Sequence, residues 1–458
     1  MAAELIITVS GMRGIVGQNL KPLIAEEYGC AFGTFLGQNT ASGAKKLSVC
    51  VGRDSRPSGP MLASAVADGL CSVGVDVIDL GVVTTPGVGI MTRHLNCGGG
   101  VIITASHNPG EYNGVKLLLG NGIAPPMELA EQIKRLFFDK KFNFIDSAGC
   151  GQIKQDAETD AVHIEKVLAI ADKDAIAAKK FKVVLDSVNG AGGRVGKKLL
   201  DKLGCDVVAI NDEATGLFAH VPEPTKGNLV GLCDKVGTMG ADIGFGLDPD
   251  GDRLAIVDQA GRYIGEEYTL GLAARHVFSK RTGRGATNLS TSRMIDDIAA
   301  AYGGEVIRTA VGEANVAEAM IKNDCIIGGE GNGGVIDLRV GPVRDSLVGM
   351  ALVLGLMADT GKSVGALADE IGDYYMDKAK FEANKEEAKL VVDKAKETFA
   401  DAKVDTTDGA RFDFADGWVH IRSSNTEPVM RVIVETKTKH EAEKYINTVA
   451  RIRKQILD

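Results

Sequence analysis

Short apolar runs alternate with stretches in which apolar residues recur every three or four positions, from about residue 47 to beyond 320. Residues 47–52, 75–81 and 101–104 read as strands, with helices at 60–73 and 128–137. The pattern returns as a strand at 182–186, a helix at 193–203, a strand at 205–210 and apolar runs at 243–247 and 254–257. A third block holds a helix at 268–278 and an apolar run at 326–329. Such alternation predicts α/β layers with mostly parallel pairing, and active loops beyond the carboxyl ends of the strands. The end of the chain reads differently, with a charged amphipathic region at 378–401, strands at 417–421 and 429–435, and a closing helix at 439–457.

A chain of 458 residues holds three or four domains at roughly 100–200 residues each. A polar stretch at 149–159 separates the first two α/β units. The longest nearly apolar stretch, 347–358, is well short of the roughly 20 residues a membrane span needs, and is expected as a core helix. No basic, apolar leader opens the chain, and no pair of the eight cysteines shows Cys-x-x-Cys spacing. A cytoplasmic protein with reduced thiols and no membrane partner is expected. The net charge of −9 argues against nucleic acid as a partner. Whether the chain is a monomer or a homo-oligomer stays open.

Three loops carry chemistry. The strand at 101–104 runs into Ala105, Ser106, His107, Asn108 and Pro109, with Lys116 ten residues past the serine. A hydroxyl, an imidazole and an amine together suit moving a group onto and off the serine oxygen, although Asn-Pro alone also suits a plain turn. The second loop sets Asp248, Asp250 and Asp252 at alternate positions before Arg253. Three such carboxylates repel unless a cation sits among them, and hard oxygen donors select Mg²⁺ or Ca²⁺. Neutralising any one of them should then relieve repulsion when no metal is bound. An EF-hand is excluded, because its glycine and glutamate positions hold Arg253 and Gln259. The third loop, Arg422, Ser423, Ser424, Asn425 and Thr426 with Arg431 beyond, is dense in donors suited to phosphate. A serine able to carry phosphate, a metal cluster and a second phosphate site describe phosphoryl transfer within a phosphorylated substrate.

These motifs, in this order, resemble the α-D-phosphohexomutase superfamily over nearly the whole chain. Gly11-Met12-Arg13-Gly14, Gly52-Arg53-Asp54-Ser55-Arg56 and the glycine-rich stretch 328–334 add to the resemblance. It implies three α/β domains of similar topology and a smaller α+β C-terminal domain around a central cleft. The expected bounds are 1–152 (phosphoserine), 153–258 (metal), 259–372 (sugar recognition) and 373–458 (phosphate binding). It further implies that Ser106 is a phosphoserine, exchanging its phosphoryl with a hexose phosphate through a hexose 1,6-bisphosphate. Mg²⁺ would lie among Asp248, Asp250, Asp252 and the serine phosphate. Arg13 and Arg253 would stabilise the transferring charge, and Lys116 and His107 would move protons. Glu330 and Asn332 would meet the sugar, and the Arg422 loop with Arg431 would hold the non-reacting phosphate.

The chain departs from the commonest pattern, Gly-Glu-x-Ser-Gly-His, with Asn332 for serine and Gly334 for histidine. Ala310 also stands where many members carry lysine. Both departures resemble the archaeal-type branch, which favours glucosamine phosphate as the substrate, with glucose and mannose phosphates as the alternative. Asp248-x-Asp250 also resembles, faintly, the aspartate pair of haloacid dehalogenase phosphatases, a rival that leaves the C-terminal phosphate loop unexplained.

Overall fold

The computed structural model describes residues 5–8, 11–40, 46–424 and 429–457. Its first sheet has seven strands, in the order Ile6–Thr8, Gly11–Ile15, Tyr112–Leu119, Gly99–Ile103, Ser48–Arg53, Asp76–Val82 and Ile153–Gln155. The last four run parallel, and the strands toward Ile6–Thr8 are antiparallel. Ile153–Gln155 is the outermost strand here, pairing with Asp76–Val82, so the sheet ends past the expected junction at 152.

One topology recurs three times. In the first sheet, Asp76–Val82, Ser48–Arg53 and Gly99–Ile103 are parallel neighbours, and Tyr112–Leu119 turns back beside the last of them. The second sheet repeats this with Asp206–Ile210, Lys182–Asp186, Ile243–Leu247 and the returning Leu254–Asp258. The third uses Glu305–Thr309, Arg284–Asn288, Ile327–Glu330 and Gly334–Ile336. Each time, the chemistry-bearing loop joins the third strand to its antiparallel return. Ser106, Asp248–Asp252 and Glu330–Asn332 therefore occupy equivalent positions at the carboxyl ends of central strands.

The strands are central because Gly99–Ile103 and Ile243–Leu247 are apolar throughout and Ile327–Glu330 is apolar up to its last residue, and all three are buried along their length. A continuous apolar core spans the second and third units, through Leu185, Phe245, Leu270, Ile327 and Leu352. The helix Ser346–Thr360 runs through it, buried from Ser346 to Ala358. Among the described residues, no single helix is long and apolar enough to cross a membrane.

The last unit is an antiparallel five-stranded sheet with the helices Lys385–Thr398 and Lys439–Leu457. The charged region expected at 378–401 splits in two. Its start belongs to the strand Tyr375–Glu382, and the helix Lys385–Thr398 is capped by Asn384, whose side chain forms a reciprocal capping box with Glu387. The helical pattern of charges beyond 384 obscured the strand, because that strand carries alternate lysines on its more exposed face.

Candidate active site

The serine loop is wound around one buried cation. Arg56 Nη2 donates to the carbonyls of Ser106 and Asn108 at 2.7 and 2.6 Å, and Nη1 to those of Pro109 and Tyr112 at 2.6 and 3.0 Å. Its Nε donates to Asp54, which also accepts from Thr104 Oγ1, and Thr104 Oγ1 in turn accepts from the Ser106 N–H. Four carbonyls drawn onto one guanidinium hold Ser106 at φ +50°, a left-handed conformation that a β-carbon disfavours. Strain is thus kept at the residue whose hydroxyl is presented. Ser106 Oγ donates to Asp248 Oδ2 at 3.0 Å and lies 3.4 Å from His107 Nδ1.

Asp248, Asp250 and Asp252 are fully buried, with oxygens of all three within 4.8 Å of one another. Asp248 Oδ1 accepts the backbone N–H groups of Asp252 and Arg253, each at 3.1 Å. Asp250 Oδ2 accepts from Thr85 Oγ1 at 2.7 Å and Lys116 Nζ at 2.8 Å, and Asp252 Oδ2 from Arg344 Nη2 at 2.6 Å. Asp250 Oδ1 and Asp252 Oδ1 remain buried with no hydrogen-bond partner among the described residues. Buried carboxylate oxygens left this way are costly, and a hard divalent cation satisfies them. The donor set fits a metal ion.

The charges of the site are set by this crowding. Burial, then Asp250 and Asp252, push the Asp248 carboxyl well above the usual range. Burial also opposes ionisation of Asp250, but the Lys116 ammonium outweighs it and holds that carboxyl far below. Burial works against Lys116 as well, yet Asp250 and Asp252 keep its pKa above that of an ordinary lysine. His107 is lowered to about 3, by burial and then by the like charges of Arg253 and Arg13. At neutral pH the site therefore contains an ammonium at Lys116 and an uncharged imidazole at His107. Arg13 Nη1 donates to Asn108 Oδ1 at 3.0 Å, and Arg253 Nη1 lies 3.7 Å from Glu223 Oε1.

The glycine-rich loop of the third sheet lies beside this group. Glu330 is buried, accepting from Asn288 Nδ2 on Oε1 at 2.7 Å and from Arg344 Nη1 on Oε2 at 2.6 Å. Asn332 Oδ1 is buried without a hydrogen-bond partner among the described residues. Gly333 O accepts the N–H of Leu254, so the sugar loop is stitched to the strand leaving the metal loop.

Arg422, Ser423, Ser424 and Arg431 sit on the terminal hairpin, where Arg422 and Arg431 are cross-strand partners. Asn425 and Thr426 lie outside the described residues. Arg422 Nε donates to Asp408 Oδ2 at 2.9 Å, and the same oxygen accepts the N–H of Val311, next to Ala310. His420 Nδ1 meets Ser290 Oγ at 2.9 Å. The hairpin is thereby fastened to the third unit rather than to the serine loop. The structure gathers Ser106, His107, Lys116, Arg13, Arg253 and the three aspartates, and joins Glu330 to them through Arg344.

Sequence reasoning missed Arg344, Thr85, Glu223 and the role of Arg56. Arg56 lay in a quoted motif without a task; the others stand 92, 165 and 116 positions or so from their partners, and only the fold brings them in. His163 Nε2 is buried against Asp345 Oδ2 at 2.6 Å.

Comparison with known proteins agrees with this arrangement. Models of the four phosphoglucomutase/phosphomannomutase domains match in order: α/β/α domain I at residues 5–144, domain II at 161–261, domain III at 266–375 and the C-terminal domain at 378–452. A phosphoglucomutase/phosphomannomutase of Thermococcus kodakarensis is 39% identical over 454 residues, covering 98% of each chain. A phosphoglucosamine/phosphogalactosamine mutase of Sulfurisphaera tokodaii is 32% identical over 453 residues, covering 96% of this chain and 97% of its own. The crystal structure of a Burkholderia thailandensis member, 28% identical, superposes with a TM-score of 0.87 over 98% of this chain and 97% of that one. With a serine loop, an acidic triad and a sugar loop at equivalent places in three like sheets, and all four domains matched, the chain belongs to the phosphoglucomutase/phosphomannomutase family of α-D-phosphohexomutases.

Proposed function

We propose that this enzyme interconverts hexose 6-phosphate and hexose 1-phosphate through a phosphoserine at Ser106 and a hexose 1,6-bisphosphate. The observation that carries this reading is Ser106 Oγ, held in a strained loop 3.0 Å from a buried triad carboxylate and flanked by His107. In the forward step the bond from Ser106 Oγ to phosphorus breaks as one forms to a sugar hydroxyl. The sugar oxygen loses its proton and Ser106 Oγ regains one. Arg13 and Arg253 face the charge on the phosphoryl oxygens, which is where positioning and electrostatics contribute most. Lys116, 2.8 Å from Asp250, and His107, 3.4 Å from Ser106 Oγ, are the side chains placed to move the proton between the sugar hydroxyl and the serine oxygen. Asp248, Asp250 and Asp252 would hold Mg²⁺ together with a phosphoryl oxygen on Ser106, and that ion, when bound, supplies charge neutralisation there. The aspartyl-phosphatase alternative finds no support, since Asp250 is tied up by Lys116 and Thr85 and the match to mutase domains spans the chain. All eight cysteines carry thiols, which suits a reducing cytoplasmic setting.

The bisphosphate must turn around in one site, so the hairpin with Arg422 and Arg431 grips whichever phosphate is not reacting. Arg422→Ala is expected to weaken the 1-phosphate and the 6-phosphate by comparable amounts, about 1.5–3 kcal/mol each. Inhibition constants for both monophosphates check this, and a loss confined to one of them refutes the shared grip.

The hexose we propose is glucosamine phosphate, from the Glu330-Gly331-Asn332-Gly333-Gly334 loop and the likeness to the Sulfurisphaera enzyme. Likeness to the Thermococcus phosphoglucomutase/phosphomannomutase supports glucose or mannose phosphate instead. Comparing kcat/KM for the three 6-phosphates decides the matter. A glucose or mannose preference of tenfold or more, about 1.4 kcal/mol in transition-state binding, overturns the sugar and leaves the mutase mechanism standing.

A further inference from the structure

Arg344 spans two sites that belong to different units of the chain. It is 8% exposed, and its guanidinium donates from Nη2 to Asp252 Oδ2 and from Nη1 to Glu330 Oε2, each at 2.6 Å. Its backbone N–H donates to Glu313 Oε1, also at 2.6 Å, and its Nε lies 3.7 Å from the same oxygen. The aliphatic stem fills the place a side chain at 334 would need, since a β-carbon there would meet Arg344 Cδ at 2.2 Å and Cγ at 2.7 Å. Gly334 is the position at which the commoner pattern carries histidine. Here the space belongs to a cation that arrives from ten residues further along the chain.

The mounting of Arg344 is firm. Asp345, its neighbour, caps the buried helix Ser346–Thr360 through the N–H groups of Leu347 and Val348, and its other oxygen is 2.6 Å from His163 Nε2 in the second unit. Ser346 Oγ donates to the carbonyls of Gly251 and Arg253, the backbone of the metal loop itself. A guanidinium fixed in this way cannot follow one carboxylate without shifting against the other.

We infer that Arg344 is a positioning residue that couples metal binding at Asp252 to sugar recognition at Glu330, an inference that rests on the reading of those two sites given above. A cation taken up by Asp252 draws that carboxylate's charge toward itself and weakens its hold on Arg344. The guanidinium then pairs more fully with Glu330 and fixes its carboxylate to accept sugar hydroxyls. Metal tightens sugar, and by thermodynamic reciprocity sugar tightens metal by the same factor.

The test is calorimetric titration of Mg²⁺ into the unphosphorylated enzyme, with and without saturating glucosamine 6-phosphate, so that no turnover intervenes. The wild type is expected to bind Mg²⁺ about fivefold or more tightly when the sugar phosphate is present. Arg344→Lys keeps the charge but replaces the fork by a single head, which reaches one carboxylate at a time. It is expected to bind each ligand alone but to lose the coupling, leaving less than about a twofold difference. Arg344→Met should behave the same way, and if it does not fold, the lysine variant decides alone. A role confined to stability would lower the melting temperature of these variants and leave the coupling factor intact. That result, or a wild type that binds both ligands independently, overturns the inference alone. A wild type that binds no Mg²⁺ also overturns the inference alone, because the proposed function counts a phosphoryl oxygen on Ser106 among the metal's ligands and the unphosphorylated enzyme lacks it.

Discussion

Ser106→Ala is expected to lose turnover by at least ~10⁴-fold, even with hexose 1,6-bisphosphate supplied as activator. No other hydroxyl in the loop can take its place, because Arg56 fixes the backbone carbonyls around Ser106 and thereby fixes which side chain meets Asp248. The loop itself should survive. Its conformation is held by Arg56, Asp54 and Thr104 acting on backbone atoms, and the serine hydroxyl adds one bond to Asp248, worth about 1 kcal/mol. Ser106→Gly should be equally inactive and somewhat more stable than Ser106→Ala, since glycine tolerates φ +50° without cost. Steady-state assays beside thermal melts measure both effects. Turnover near the wild-type rate in either variant contradicts the assignment.

Asp248→Asn and Asp250→Asn should both lose Mg²⁺ affinity by more than the roughly 10–100-fold typical of outer-shell partners. Their stabilities without metal should then diverge, which corrects the simple expectation that neutralising any of the three carboxylates relieves repulsion. Asp248 has its pKa raised by burial and by its two acidic neighbours. Ionising it therefore opposes folding at every pH above the unfolded carboxylate value, about 3.9, and asparagine removes that penalty at neutral pH. Asp250 is the opposite case. Its pKa is depressed by Lys116, so its charge stabilises the fold at neutral pH and that stability is lost only as pH falls through its folded value. Asp250→Asn leaves Lys116, whose side chain is 19% exposed, without its nearest counter-charge. Breaking a fully buried pair costs about 3–5 kcal/mol, reduced here because Lys116 is partly exposed and Asp252 remains 3.8 Å from the ammonium. Urea melts in excess chelator should show Asp248→Asn at or above wild type and Asp250→Asn below it. Equal stabilities for the two variants refute this account of the charges.

The elements that sequence revealed best are those whose apolar pattern and chemistry coincide. Lys182–Asp186 and Ile243–Leu247 match their expected bounds, because a fully buried strand is a short apolar run ended by a polar turn. Ser106 and the aspartates were legible for a related reason: reactive groups at strand ends stand out against the runs that precede them. The strand Tyr375–Glu382 was hidden, since an exposed edge strand with alternate lysines carries the same residues as a charged helix. Arg344 was hidden more deeply. An arginine between a glycine-rich loop and an apolar helix has nothing in its neighbourhood to name its partners, and Asp252 lies 92 positions away. The charge states were equally beyond the sequence, because Lys116 is an ammonium and His107 neutral only through contacts that the fold creates.

The central claim is that Ser106 carries the phosphoryl group and passes it to the sugar. The most direct measurement is intact mass with peptide mapping after incubation with hexose 1,6-bisphosphate, followed by a chase with unlabelled hexose 6-phosphate. One added phosphoryl group, mapped to Ser106 and transferred to the sugar without release of inorganic phosphate, is the predicted result. A phosphoryl group on an aspartate of the Asp248 loop, or its loss as inorganic phosphate during the chase, would contradict it.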